Sequence, residues 1–165
     1  MKKRELLSFI LIFIIIIILL IIIFNQPKKI KSSNVCFINS NKERHCFDIE
    51  IADDDKERQT GLMFRSAESF LKDKGMLFIF DKSGLYNFWM KDTLVPLDIV
   101  WIDKNRGSKT NIIVAIAHDA LPCKENVIIP CPIFNPGVNA KYVVEINSNL
   151  TQEYGINLGD EVEIN

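Results

Sequence analysis

Residues 88–103, FWMKDTLVPLDIVWID, set two apolar runs around a polar centre that holds Lys91, Asp92, Thr93, Pro96 and Asp98. Read as strand, the second run places Leu97, Ile99 and Trp101 on one face and Asp98, Val100 and Ile102 on the other. Asp98 thus occupies a line of otherwise apolar positions. A carboxylate in such a line needs a partner, because burying it alone is expensive. Lys91, across the KDTLVP turn, is the expected partner. The alternative is a set of turn amides.

Outward from this stretch, strand patterns recur at 34–39, 45–52, 76–80, 86–91, 111–118 and 141–147, with an alternating strand closing the chain. Asp81 to Gly84 read as a turn. Asp54 with Glu57 three residues on forms a capping-box pattern, and Gly61 ends that helix. SAESFLKDKG reads as a second short helix between Ser66 and Gly75, and Asn149 heads a third helical turn. Strands outnumber helices. The expected fold is mainly β (β-rich α+β): a compact antiparallel barrel, partly closed, or a sandwich, with two or three short helices.

The N-terminus differs in kind. Leu6–Phe24 carries no charge. As a helix it would span roughly 29 Å, about one hydrocarbon core. No small-residue cleavage pattern follows it, so it reads as an uncleaved transmembrane anchor rather than a signal peptide. The domain plan is therefore an anchor over 1–25, a polar linker over 26–33 and a single β-rich domain over 34–165. Bases flank the anchor on both sides, so charge does not orient it.

The cysteines do. Cys36 and Cys46 flank the polar tip of a hairpin, and Cys123 and Cys131 bracket a proline-rich loop. An even number, locally paired beside an anchor, predicts the disulfides Cys36–Cys46 and Cys123–Cys131 outside the cytoplasm. The expected location is thus a single-pass membrane protein with its N-terminus inside and residues 26–165 outside. Neither pair has zinc-finger spacing. Met63, Met76 and Met90 read as core packing rather than copper ligands, and His118-Asp119 as a solvated strand end. No metal and no cofactor is expected.

The chain holds 20 Lys and Arg against 21 Asp and Glu, and three of those bases precede the apolar segment. The domain beyond is mildly acidic, which argues against a nucleic-acid partner. No phosphate loop, G-x-S-x-G or H-E-x-x-H occurs.

Taken together, GLMFR (61–65), GMLFIF (75–80) and FWMKDTLVPLDI (88–99) resemble the family called Domain of Unknown Function 192. Glu57, Cys123, Cys131, Pro132, Tyr142, Val143, Glu145, Gly155, Ile156, Gly159 and Asp160 extend the match, over about residues 46–165. Asp92 stands where that pattern has Asn. The resemblance implies a small β-rich domain, often exported or membrane-anchored, with no established activity.

The resulting expectation is a membrane-anchored extracytoplasmic domain binding a small polar ligand, a sugar or a peptide, or serving as an envelope accessory protein. Its candidate surface gathers Arg65, Trp89, Lys91, Asp92, Thr93 and Asp98, with aromatic and mixed-charge groups suited to such ligands. One alternative is a hydrolase-like enzyme using Asp98 or Asp92 as general acid/base with Lys91 or Arg65 steadying negative charge. The other is a purely structural partner of another envelope protein. Expected partners are membrane lipid, through the N-terminal helix, and an envelope protein, sugar or peptide.

Overall fold

The computed structural model describes residues 12–20, 32–124 and 130–165. The chain divides into two units, Met1–Ile30 and Lys31–Asn165. In the first, residues 12–20 form a helix, α1. Among the described residues no helix is long and apolar enough to cross a membrane. Both ends of the expected 6–24 span, and the linker up to residue 31, lie outside the described residues.

The described residues of the second unit form nine strands and two short helices. These are β1 (Ser32–Ile38), β2 (Arg44–Ala52), α2 (Asp55–Thr60), β3 (Lys74–Gly84), β4 (Phe88–Trp89), β5 (Leu97–Lys104), β6 (Asn111–Ala120), β7 (Ile133–Phe134), β8 (Ala140–Asn147), α3 (Leu150–Glu153) and β9 (Glu161–Ile164). Seven strands close a barrel in the order β1-β2-β3-β8-β5-β6-β9, and β4 and β7 form a separate ribbon. Closure removes sheet edges, and it selects the barrel over the sandwich.

One neighbour pair breaks the expected antiparallel rule. β2 and β3 run parallel, as a strand pair must when a long crossover joins them. That crossover is residues 53–73 and contains α2. The Asp54–Glu57 capping box is present, and the Gly61 N–H closes the helix onto the Glu57 carbonyl. The expected second helix over 66–75 does not form. Residues 67–73 make turns, and Lys74 and Gly75 are claimed by pairing with β2 and β8. The expected turn over 81–84 is the end of β3, irregular between Ile79 and Gly84. The strand expected over 86–91 shrinks to β4.

Alternation sorts the apolar side chains into two cores. Val35, Phe37, Ile49, Leu77, Val100, Ile102, Ile113, Val144, Ile146 and Val162, one or two from each barrel strand, fill the interior. Met76, Phe78, Leu97, Ile99, Trp101 and Val143 point outward, and they are roofed by Leu62, Phe70, Met90 and Val95 from the connecting segments. β5 is therefore buried on both faces from Leu97 to Ile102. Cys36 faces Cys46 in the β1–β2 register, and both expected disulfides, Cys36–Cys46 and Cys123–Cys131, are formed.

Candidate functional site

The roof over the outer core is pinned at several points. The Trp101 indole N–H donates to the Tyr86 carbonyl at 2.8 Å. Phe88 packs edge-on against Phe78 and Trp101. The segment after β4 is then stitched to its neighbours by backbone bonds. Cys123 N–H donates to the Met90 carbonyl, Asp92 N–H to the Cys123 carbonyl, and Phe64 N–H to the Asp92 carbonyl. The Cys123–Cys131 loop and the GLMF turn thus hold the FWMKDT segment in place. Phe64 (φ 63°) and Asp92 (φ 53°) take left-handed backbone conformations at this junction. For a bulky residue such as Phe64 that conformation is strained and is maintained by its surroundings.

Beneath this segment lies a narrow cleft of about 30 Å³, lined by Arg58, Gly61, Met63, Phe78, Phe88, Trp89, Lys91, Thr93 and Glu145 among others. About 30 Å³ is a water's share of liquid volume, so the cleft accepts one small group, or the tip of a larger ligand. Trp89, 40% exposed, stands at its rim. The Lys91 ammonium lies over the Trp89 ring, 5.1 Å from its centroid. Arg58 is held from behind: it donates to the carbonyls of Asp53 and Ile79 and to the Asp55 carboxylate, all at 2.6–2.7 Å.

At the cleft's floor is Glu145. On β8 it pairs with Met76 of β3 and Ile99 of β5, so its side chain enters the apolar outer core. It is 4% exposed. Burial pushes its carboxyl up to about 8 from the ordinary carboxylate range, because desolvation disfavours the charged form. Among the described residues none donates a hydrogen bond to it.

Of the six residues expected to form the surface, the structure brings Trp89, Lys91 and Thr93 to this cleft. Arg65 makes a two-pronged pair with Glu50 (2.7 and 3.3 Å). Asp92 serves the junction through its backbone. Asp98 is elsewhere. Its side chain enters the barrel's interior end, fully buried, and its oxygens accept from Asp119 N–H (2.9 Å), Asn149 N–H (3.2 Å), Thr151 N–H (2.9 Å) and Thr151 Oγ1 (2.6 Å). The expected Lys91–Asp98 pair is therefore corrected: turn amides and a hydroxyl satisfy Asp98, and Lys91 lies on the outer layer. Because Thr151 gives its hydroxyl proton to Asp98, the His118 Nδ1 found 2.8 Å from Thr151 Oγ1 is the donor of that bond. His118 itself is exposed, as a strand end should be.

Sequence reasoning passed over Glu145 as a site residue. The signal was present: YVVEIN places one acid inside an apolar run, the same anomaly that singles out Asp98. Among the described residues no cluster of three or more His, Cys, Asp or Glu side chains is placed to hold a metal ion.

The fold is shared. A crystal structure from Sinorhizobium meliloti 1021, described as a "putative transcription regulator", matches with a TM-score of 0.72 and 29% identity, over 84% of this chain and 98% of that one. A protein of unknown function from Novosphingobium aromaticivorans DSM 12444 matches with a TM-score of 0.69 and 29% identity, over 84% and 89%. No curated protein matches the sequence. The family model DUF192, described as "Uncharacterized ACR", matches residues 36–164. With the three motifs converging on one cleft and the family's pattern running the length of the barrel, the chain belongs to the DUF192 family.

Proposed function

We propose that this protein is a membrane-anchored, extracytoplasmic domain that binds a small polar ligand in the cleft beneath the FWMKDT segment. One observation carries the binding assignment. Glu145, a carboxyl to which none of the described residues donates a hydrogen bond, sits at the floor of a cleft whose rim presents an aromatic ring, an ammonium and a hydroxyl. An apolar wall with a few convergent polar groups is the usual composition of a ligand site.

The location rests on two further features. The uncharged Leu6–Phe24 segment suits a single-pass anchor with the N-terminus inside. Both cysteine pairs are cross-linked, the state favoured in an oxidising compartment and disfavoured in the cytosol. On this reading residues 26–165 lie outside. The hydrolase reading loses support, since Asp98 is committed to the barrel end and Asp92 to a backbone junction. The Sinorhizobium relative's description does not favour DNA binding here, because the domain holds more acidic than basic residues.

The test uses the full chain in detergent. Thermal shift against neutral sugars, organic acids, amines and short peptides is compared between the wild type and Trp89→Ala. A saturable shift that disappears in the variant supports the cleft. If no compound raises the melting temperature, the small-ligand reading fails and a structural role in the envelope takes its place. Protease digestion of sealed cells reports the location: cleavage of the barrel from outside is expected.

A further inference from the structure

The tip joining β5 to β6 reads KNRGSK, residues 104–109, and its bases Lys104, Arg106 and Lys109 are all exposed. The tip is a tight hairpin: Asn105 N–H donates to the Thr110 carbonyl at 2.9 Å, and Gly107 takes the left-handed turn (φ 87°). Among the described residues none of the three bases has an ion pair. The acid beside them, Asp103, accepts from Ser83 Oγ and from the Lys104 N–H. Elsewhere at this end of the barrel the charges are of both signs: Asp81 and Lys82 on β3, Lys141 on β8 and Glu161 on β9.

Against the tip lies an open groove of about 840 Å³, lined by Arg106 with Leu85, Ile112, Val138, Asn139 and Leu158 among others. Leu85 is 60% exposed, Val138 41% and Leu158 68%. Exposed apolar side chains gathered in one place and rimmed by polar groups mark an interaction surface. Its position follows from the strand directions. β2 runs antiparallel to β1, β3 parallel to β2, and β8, β5 and β6 are antiparallel in turn. The start of β1, the ends of β3 and β5 and the starts of β6 and β8 therefore share one end of the barrel, and the basic tip is at that end.

We infer that this surface docks on the anionic lipid of the bilayer that holds the anchor. Lys104, Arg106 and Lys109 meet headgroup phosphates, for which the forked guanidinium is well suited. Leu85, Val138 and Leu158 enter the layer beneath. The chain supplies the proximity. Seven residues, 25–31, join the apolar segment to β1, and seven extended residues span at most about 25 Å. That tether ends at the barrel end that carries the basic tip, and Lys28, Lys29 and Lys31 within it add to the attraction for anionic headgroups. A nucleic acid offers phosphates but no layer for the leucines. A second copy packed through the same patch would set like charges together.

The inference rests on the proposed anchor, and the test separates the two. The full chain is placed, one copy per disc, in lipid nanodiscs of phosphatidylcholine alone or of phosphatidylcholine mixed equally with phosphatidylglycerol. Amide hydrogen exchange is followed at 104–110, 137–139 and 157–159, with the β1–β2 turn at the other end of the barrel as the internal control. Exchange at the three segments is expected to be slower in the anionic discs, and the difference to vanish in high salt. Each base near an anionic surface is worth about fivefold in binding, so Arg106→Gln should reduce the protection about fivefold. Leu158→Ser, a change at an exposed position, should reduce it too. Equal exchange in the two kinds of disc, or protection unchanged in both variants, overturns the inference. Slowing that requires two copies per disc assigns the surface to a second copy and overturns it as well. A chain that does not stay with the discs removes the anchor reading and this inference with it. A chain that stays, with its tip unprotected, removes the inference alone.

Discussion

The two acids buried in the barrel wall, Asp98 and Glu145, lie on neighbouring strands and meet opposite fates. Asp98 points into the interior end of the barrel and meets four donors. Glu145 points outward into an apolar layer and, among the described residues, meets none. Two of the amides that reach Asp98 belong to Asp119 (φ 49°) and Asn149 (φ 68°), non-glycine residues in the left-handed region. The carboxylate thus secures two strained turns and the N-terminal end of α3 at once. Around Glu145 the strained residues are Phe64 and Asp92, and their amides serve the roof instead. Burial alone therefore does not mark an acid as structural or functional. The direction from which donors arrive does.

The largest effect expected from breaking this contrast is at Asp98. Asp98→Asn keeps the volume but turns an NH₂ toward groups that themselves donate. Removing the partner of a buried, fully bonded cluster commonly costs about 3–5 kcal/mol. Urea unfolding should show a loss in that range, with the Asp119 and Asn149 turns becoming susceptible to protease. A loss below about 1 kcal/mol would mean that the four bonds hold nothing the fold needs.

Glu145→Gln should act in the opposite direction and depend on pH. The folded-state value, about 8, lies above the unfolded value in the ordinary carboxylate range. The folded state therefore holds the proton more tightly. Stability is greatest below about pH 4.5 and is lost as pH rises toward 8. The full shift would correspond to roughly 4–5 kcal/mol, and water entering the cleft reduces it to about 2–4. Denaturation at pH 5, 7 and 9 should show the wild type weakening across this window while the Gln variant stays level. Parallel curves would show that Glu145 is already ionised in the fold.

How much of this contrast was legible beforehand depends on where the determining atoms lie along the chain. The alternation in PLDIVWID identifies Asp98 as a buried acid, and the capping box and both disulfides are local patterns that survive unchanged. The identity of Asp98's partners was not local. Its donors come from residues 119, 149 and 151, and a lysine seven positions away looked nearer than it is. Glu145 sits in a run as apolar as β5 and could have been marked by the same rule. The cleft above it could not, because Arg58, Gly61, Lys91 and Glu145 meet only after β2, β3, β8 and β5 are placed side by side. The missed features 66–75 and 81–84 share one cause: both adjoin β3, whose pairing with β2 and β8 overrides short-range turn and helix signals.

A third expectation tests the strand contact that aims Glu145. Gly75 lies where β3 crosses close to β8. A Cβ there would sit 2.8 Å from the Glu145 carbonyl oxygen and 2.6 Å from Ile49 Cδ1. Backbone cannot yield as a flexible side chain can, so Gly75→Ala should destabilise by about 1–3 kcal/mol. It should also alter the pH window of the wild type, since moving β8 moves Glu145. Loss of stability with that window intact would assign Gly75 to the barrel interior alone.

The smallest expected effect is a coupling. Lys91 lies over Trp89 on the outer layer, and Asp98 is saturated inside the barrel, so the two should be energetically independent. Sites without shared partners usually add within about 0.3–0.5 kcal/mol. The cycle formed by Lys91→Met, Asp98→Asn and the double variant should close within that margin. The Lys91→Met loss should be the same whether Asp or Asn stands at position 98. The cycle formed by Lys91→Met and Glu145→Gln is different, because both groups face one cleft and a positive charge nearby favours ionised Glu145. Its coupling should be absent at pH 5, where Glu145 is neutral in both backgrounds, and should emerge above pH 8. Coupling above about 1 kcal/mol between Lys91 and Asp98 would return the lysine to the interior acid and dissolve the contrast between the two carboxyls.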